Sequence, residues 1–310
     1  MRTNRRVAVG AVALALMLIL GACGSGDGSD GEPIDGPQIK VGAQDFGESA
    51  ILASLYGQAL EAEGYDVVIQ PLGGYRDIVL ASFESEDINF TPEYAASMLE
   101  FLNGFAGEAT GDADATTEKL RGYLADIGLQ AFDPSEAVDT NAFVIKPGTS
   151  ETLGITTLSD LASKGADLTL GGPPDCETNP FCIPGLQSAY GLDLSGNFTP
   201  LDAGAITVQA FEADEIDVAL LFSTSGIIAD RGWVLLEDDQ NMLAADNVVP
   251  VLSDAIADAY GSDLQDLVDR ISAAISTADL TEMNRQFDIE QLDAEDIALD
   301  FLVENGFVDA

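Results

Sequence analysis

From Gln38 onward the chain alternates short apolar runs with longer stretches in which apolar residues recur every three to four positions. "IKVGAQ" and "DVVIQPL" read as strands. Between them, "ESAILASLYGQALEAEG" sets Ile51, Leu52, Leu55, Tyr56, Ala59 and Leu60 on one helical face before a glycine stop. "YRDIVLASFES" predicts a second helix, "INF" a third strand and "EYAASMLEFL" a third helix. Short alternating strand and helix units indicate a parallel sheet covered on both faces. Pro92 and Glu93 are expected to form the turn that ends the third strand, leaving Tyr94 at the mouth of the helix that follows.

A helical stretch around "TTEKLRGYLADIG" leads into "QAFDPSEAVDT", read as a passage between lobes. The alternation then starts again with "NAFVIK", "TTLSDLASKG", "DLTLGG", "GLQSAYG", "NFTPLD", "AITVQAFEADE", "IDVALLF" and "WVLLED". After "NVVPVL" the pattern is mostly helical, through "SDLQDLVDRISAAIS", "TEMNRQFDI" and "DAEDIALDFLVENG". The expected architecture is α/β and two-lobed. Lobe 1 is built from residues 38–140 and 247–310, and lobe 2 from residues 141–246 inserted into it. The strands near Asn141 to Lys146 and Asn247 to Leu252 are expected to act as a two-strand hinge.

The amino terminus does not fit this pattern. Arg2, Arg5 and Arg6 precede the apolar "VAVGAVALALMLIL", and "LGAC" closes it. That is the layout of a secretory signal, and small residues directly before a cysteine resemble the lipobox of bacterial lipoproteins. Residues 1–22 are therefore expected to be removed and Cys23 to carry lipid. The Gly-rich polar stretch up to residue 37 then serves as a flexible tether with a reach of about 20 Å. The body is expected at the extracytoplasmic face of the cell membrane, lipid-anchored and monomeric.

Composition narrows the function. The 310 residues are 46% apolar, and 54 Asp and Glu stand against 12 Lys and Arg. Cleavage after residue 22 takes three of those arginines and no acid, which deepens the imbalance. Such a chain repels a phosphate backbone, so a nucleic-acid partner is excluded. Two cysteines remain beyond Cys23, Cys176 and Cys182 in "DCETNPFC". Outside the cytoplasm they point to a disulfide that staples a loop, for which chain entropy gives about 2.4 kcal/mol.

The chain has no histidine. A Ser-His-Asp triad, a Cys-His pair and a His-based metal centre are therefore all missing, and no metal or cofactor is expected. "GGPPD" and "LGGYRD" lack the spacing of nucleotide-cradling loops. Paired carboxylates carry little information among 54 acids, so an enzyme is disfavoured. Binding fits better, because ligands of open α/β sheets sit at the carboxyl ends of strands. Gln44, Asp45 and Phe46 fall on the first such junction, Tyr75 and Arg76 on the second and Tyr94 on the third. Phe222, Ser223 and Thr224 follow "IDVALL". Phe46 reads equally as a core plug, and Arg76 as one half of a structural ion pair. Tyr56, Tyr123, Tyr190 and Trp233 read as packing residues.

Taken together, "IKVGAQDFGESAILASLYGQALEAEGYDV", "LGGYRDIVLASFESEDINFTPEY", "LGGPPD", "PGLQSAYGL", "AFEADEIDVALLFSTSG" and "VLLEDD" resemble the substrate-binding lipoproteins of ABC importers for glycine betaine, choline and related osmoprotectants, the ProX/OpuAC-like family. The resemblance runs colinearly from about Ile39 to the C-terminus. It implies a periplasmic-binding-protein type II fold that closes on a small solute and delivers it to a permease driven by an ATPase. It also implies an aromatic cage for a quaternary ammonium, whose charge is attracted to ring faces. Carried over by motif, the cage places Tyr94 in "PEY", Phe143 in "NAFVI" and Phe222 in "FSTSG". Asp246 stands where relatives have a further ring. Gln44, Tyr75 and Arg76 fall on the side that meets a ligand's anionic end. A non-betaine ligand and a ligand-free surface scaffold remain the alternatives.

Overall fold

The computed structural model describes residues 33–309. The expected signal segment, Cys23 and most of the tether lie outside the described residues. The chain opens with β1 (Ile39–Ala43), α1 (Gly47–Ala62), β2 (Val67–Pro71), α2 (Arg76–Glu84), β3 (Phe90–Tyr94), α3 (Ala95–Leu102), α4 (Ala113–Ala125) and β4 (Leu129–Ala131). It then forms β5 (Asn141–Ile145), α5 (Pro147–Leu153), α6 (Leu158–Lys164), β6 (Leu170–Gly172), α7 (Ile183–Tyr190), β7 (Phe198–Pro200), α8 (Ala205–Glu212), β8 (Val218–Phe222), α9 (Gly226–Asp230) and β9 (Val234–Leu235). The chain returns through β10 (Val248–Ser253) to α10 (Asp254–Tyr260), α11 (Ser262–Ala274), α12 (Thr277–Asp288) and α13 (Ala294–Glu304).

Two five-stranded sheets result, ordered β2-β1-β3-β10-β4 and β7-β6-β8-β5-β9. β1 runs parallel to β2 and β3, and β6 runs parallel to β7 and β8, as the alternating pattern predicts. The sheets are mixed rather than wholly parallel, because the strands nearest the lobe crossings enter from the opposite end. β10 is antiparallel to β3 and β4, and β5 is antiparallel to β8 and β9. The two crossings pair with each other at Val138 and Asn247. This meeting point lies just ahead of β5 and β10, which are themselves interior strands of their sheets.

Helix α1 is buried nearly all round. Ile51, Leu55, Tyr56 and Leu60 have no exposure, and Ala53 and Ser54 are also covered. A helix apolar on every side belongs inside a core, and here the C-terminal helices α12 and α13 cover the face that the sheet leaves free. The chain expected to return to lobe 1 therefore completes its main core, which joins Ile39, Phe90 and Leu252 to Leu264, Ile271 and Leu302. The second lobe has its own core around Phe143, Ile145, Leu170 and Leu186.

β3 corrects one expectation. Pro92 and Glu93 do not turn the chain but continue the strand, with Phe90 to Tyr94 all paired to β10. Prolines are rare in central strands because they cannot donate. Pro92 faces Pro250, and the Pro250 carbonyl accepts from Phe132 N on the opposite side, so no ladder bond runs between the two rings. The periodicity also missed α5, a short helix with proline in its first turn and Gly154 (φ 65°) in left-handed conformation at its end.

Candidate functional site

Three strand-to-helix junctions of lobe 1 converge on one buried carboxylate, Glu93. Glu93, with no exposure, sits on β3 beside Arg76 at the start of α2. The Arg76 Nε donates to both Glu93 oxygens at 3.1 Å, and Nη2 donates to Oε2 at 2.8 Å. Gln44 Nε2 and the Tyr94 backbone N–H supply two further donors, each at 3.1 Å. Burial opposes the Arg76 charge, but the adjoining carboxylate outweighs that and holds the guanidinium above its ordinary value. Arg76 is thus largely a structural partner, while its Nη1 makes no hydrogen bond among the described residues.

A second network ties the lobes together. Glu48, in the first turn of α1, accepts from the Tyr94 hydroxyl at 2.6 Å, from Thr224 Oγ1 of lobe 2 at 2.7 Å and from the Asn284 amide of α12. Burial raises its pKa even though the three donors favour its charge. Asp139, on the first crossing, accepts from Ser223 Oγ and from Thr224 N at 3.3 Å. Burial and the neighbouring Glu48 push Asp139 well above the ordinary carboxylate range. Burial and the Glu48 charge do the same to the Tyr94 hydroxyl.

Between the lobes lies a cleft of about 480 Å³. Phe46 of the β1–α1 junction is its central ring, 6.1 Å from Tyr94 and 6.4 Å from Phe222 between centroids. Phe222 closes β8, so this ring group spans both lobes. Phe101, Phe105 and Phe181 add further aromatic wall. The charged lining is almost entirely acidic, with Asp77 and Glu100 on lobe 1, Asp139 and Asp246 on the crossings, and Asp175 and Asp202 on lobe 2, beside the neutral Gln44, Ser97, Thr140, Asn141 and Asn179. Among the described residues Arg76 is the one basic residue in the lining, and Glu93 already engages it. Tyr75, half exposed at the mouth, is held above its ordinary range by partial burial and by Asp45, Asp202 and Asp175.

Of the predicted site residues, Gln44, Tyr75, Arg76, Tyr94, Phe222 and Asp246 line the cleft. Asp45 is exposed and outside the lining, and Ser223 and Thr224 serve the lobe contacts instead. Phe143 is a correction to the motif-based placement. It pairs with Leu220, is 1% exposed and belongs to the lobe 2 core, while Asn141, at the start of the same strand, reaches the cleft. Asp246 does not present a free carboxylate to the cavity. Its Oδ1 accepts from Ala96 N (2.8 Å) and Ser97 N (3.0 Å), and its Oδ2 from Ser97 Oγ, so it caps α3 from across the hinge. Burial pushes its pKa up to about 6 against these bonds.

Sequence reading missed several lining residues. Phe101 looked like one more helical apolar position, and Phe105 lay in a loop with no period. The Cys176–Cys182 disulfide, with Cα atoms 5.1 Å apart, holds a loop that supplies Asp175, Asn179 and Phe181 to the lobe 2 wall. Its position between two predicted elements was the available signal. The tyrosines and tryptophan read as packing residues behave so: Tyr56 is fully buried against Phe90, and Trp233 packs edge-on to Phe211. No group of metal-ligating side chains occurs among the described residues.

Comparison with known proteins gives a consistent picture. A family model described as the substrate binding domain of ABC-type glycine betaine transport systems (OpuAC) matches residues 37–304. The glycine betaine-binding protein YehZ of Escherichia coli K12 is 24% identical over 278 residues, covering 87% of this chain and 91% of that protein. Among solved structures, a glycine betaine/carnitine/choline ABC transporter protein superimposes with a TM-score of 0.71 at 21% identity, covering 87% of this chain and all of that one. A choline-binding protein in complex with choline gives 0.63 at 16% identity, covering 87% of this chain and 89% of that one. At these identities the structural likeness speaks to fold, the two-lobed type II architecture.

Proposed function

The chain belongs to the family of substrate-binding domains of ABC-type glycine betaine transport systems, and from that premise we propose that its own solute is a small quaternary ammonium compound of the choline and glycine betaine class, held in the cleft between the lobes. The family captures solutes for importers and is not enzymatic. The chain works with a permease and its ATPase at the extracytoplasmic side. No described helix is long and apolar enough to cross a membrane. The basic head, apolar run and "LGAC" support attachment through lipidated Cys23.

The observation that carries this reading is the ring group Phe46, Tyr94 and Phe222 set in an acidic lining. A methylated ammonium has no strong hydrogen-bond donor, so ring quadrupoles and a negative field are what a protein can offer it. Each ring contributes about 0.5–2 kcal/mol. The acidic balance favours a ligand with net positive charge. For a zwitterion, the unengaged Nη1 of Arg76 is the donor in the lining suited to a carboxylate. With residues 38–140 and 247–310 as lobe 1 and residues 141–246 as lobe 2, Phe46 and Phe222 stand on opposite lobes.

Calorimetric titration of choline, glycine betaine and carnitine into wild type, Phe46→Ala and Phe222→Ala tests the proposal. Saturable 1:1 binding that weakens by at least threefold in each variant is expected. Unchanged affinity in both variants would sink the cage.

A further inference from the structure

Phe105 is the one cleft residue whose backbone is out of keeping with its side chain. It lies in the α3–α4 loop with φ at +61°, a conformation that favours glycine and is costly for a bulky residue. Its ring is 42% exposed, yet it lines the cleft and meets Phe101 edge-on at 6.4 Å. Strained residues of this kind persist where the surroundings over-determine them.

The surroundings here do so. Glu100, 1% exposed at the end of α3, turns its carboxylate under the loop: Oε2 accepts from Gly107 N at 2.7 Å and Oε1 from Ala109 N at 2.6 Å. The Glu100 carbonyl accepts from Phe105 N at 2.7 Å. Asn103 Oδ1 accepts from Ala106 N at 2.9 Å, and the Thr110 carbonyl takes Ala245 N of the second crossing. A buried carboxylate and three further bonds thus hold an exposed aromatic ring in an unfavourable conformation at the mouth of the cavity. Core packing gives no reason for this, since the ring is largely outside the core.

We infer that Phe105 is a ligand-contacting specificity residue, a rim ring presented by the Glu100-clamped loop to cover the cationic head of the bound solute. Phe46, Tyr94 and Phe222 form one ring group of the cleft, and Asp246 beside them is committed to capping α3. Phe105 supplies a ring from a different element. The inference rests on the ligand class proposed above.

The test is titration of choline and glycine betaine into the full chain in mild detergent, with wild type, Tyr94→Ala, Phe105→Ala and Phe105→Gly compared, and thermal melts of each ligand-free protein. One cation–π ring is worth about 2- to 30-fold in affinity, and both Phe105 variants are expected to weaken binding within that range. Phe105→Gly is expected to melt no lower than wild type, because glycine relieves the strained φ. If wild type and Tyr94→Ala bind with different affinities but the Phe105 variants match wild type, the rim ring is refuted and the cleft reading stands. If wild type binds neither solute, both fall. If binding weakens only together with a lowered melting temperature in Phe105→Gly, the ring is structural and the inference is wrong.

Discussion

Removing Arg76 should expose how much of lobe 1 depends on one buried ion pair. In Arg76→Ala, Glu93 loses three of its five hydrogen-bond contacts and the positive charge beside it, while Gln44 Nε2 and Tyr94 N remain. At about 4 Å between charge centres and an effective dielectric of about 20, the lost attraction is roughly 4 kcal/mol. Loss of one partner from a buried pair costs about 3–5 kcal/mol by general experience. The Arg76 side chain is 19% exposed and Glu93 is fully buried, so water reaches one partner only and the lower end applies, about 3 kcal/mol. Urea denaturation of wild type, Arg76→Ala, Glu93→Gln and the double variant gives the coupling directly. The double variant is expected to be more stable than Arg76→Ala, because no buried charge is left unpaired. A loss below about 1 kcal/mol in Arg76→Ala, with no coupling, would place the pair among ordinary surface pairs and refute the reasoning.

Other consequences follow from the lobe contacts. Thr224→Val keeps the shape but takes one donor from buried Glu48, and should cost about 1–3 kcal/mol in denaturant, whereas Thr224→Ser should stay close to wild type; equal stability of all three would dissolve the inter-lobe network. Asp246 gives a pH signature. Its folded pKa of about 6 lies above the usual 3.8, so the native state binds a proton that the unfolded chain releases. Its contribution is fully present below about pH 4 and is lost as pH rises to about 6, a change of about 3 kcal/mol. Asp246→Asn keeps an oxygen for Ala96 N and Ser97 N and should flatten that slope; an unchanged pH profile between 4 and 6 would contradict the assignment.

Much of this fold was readable because its elements obey simple periods. The face of Ile51, Leu55 and Tyr56 fixed α1, and alternating short units fixed two α/β lobes with a helical return. The reading failed where tertiary pairing overrides local preference. Pro92 looked like a turn residue because a sequence shows no partner strand, whereas in β3 it stands opposite Pro250 at a position where no ladder bond to β10 is due. The site was partly legible for a related reason. Tyr94 and Phe222 end strands, where α/β ligands gather, and both line the cleft. Phe143 shares its strand with Asn141, and nothing local says that the cavity reaches only the first residue of that strand. Asp246 looked like a missing ring, whereas its role depends on α3 N–H groups some 150 positions away. Phe105 carried no periodic signal at all; its meaning comes from the sign of φ and from Glu100.

The claim at the centre of this account is that the cleft recognises a methylated cation through ring faces and negative charge. Choline and its uncharged carbon isostere, 3,3-dimethylbutan-1-ol, have nearly the same shape and the same hydroxyl, so titrating both into the full chain isolates the charge. With three or more rings at about 0.5–2 kcal/mol each, choline is predicted to bind more than tenfold more tightly. Equal affinity for the two, or tighter binding of the isostere, would show an apolar pocket without cation selectivity and contradict the account.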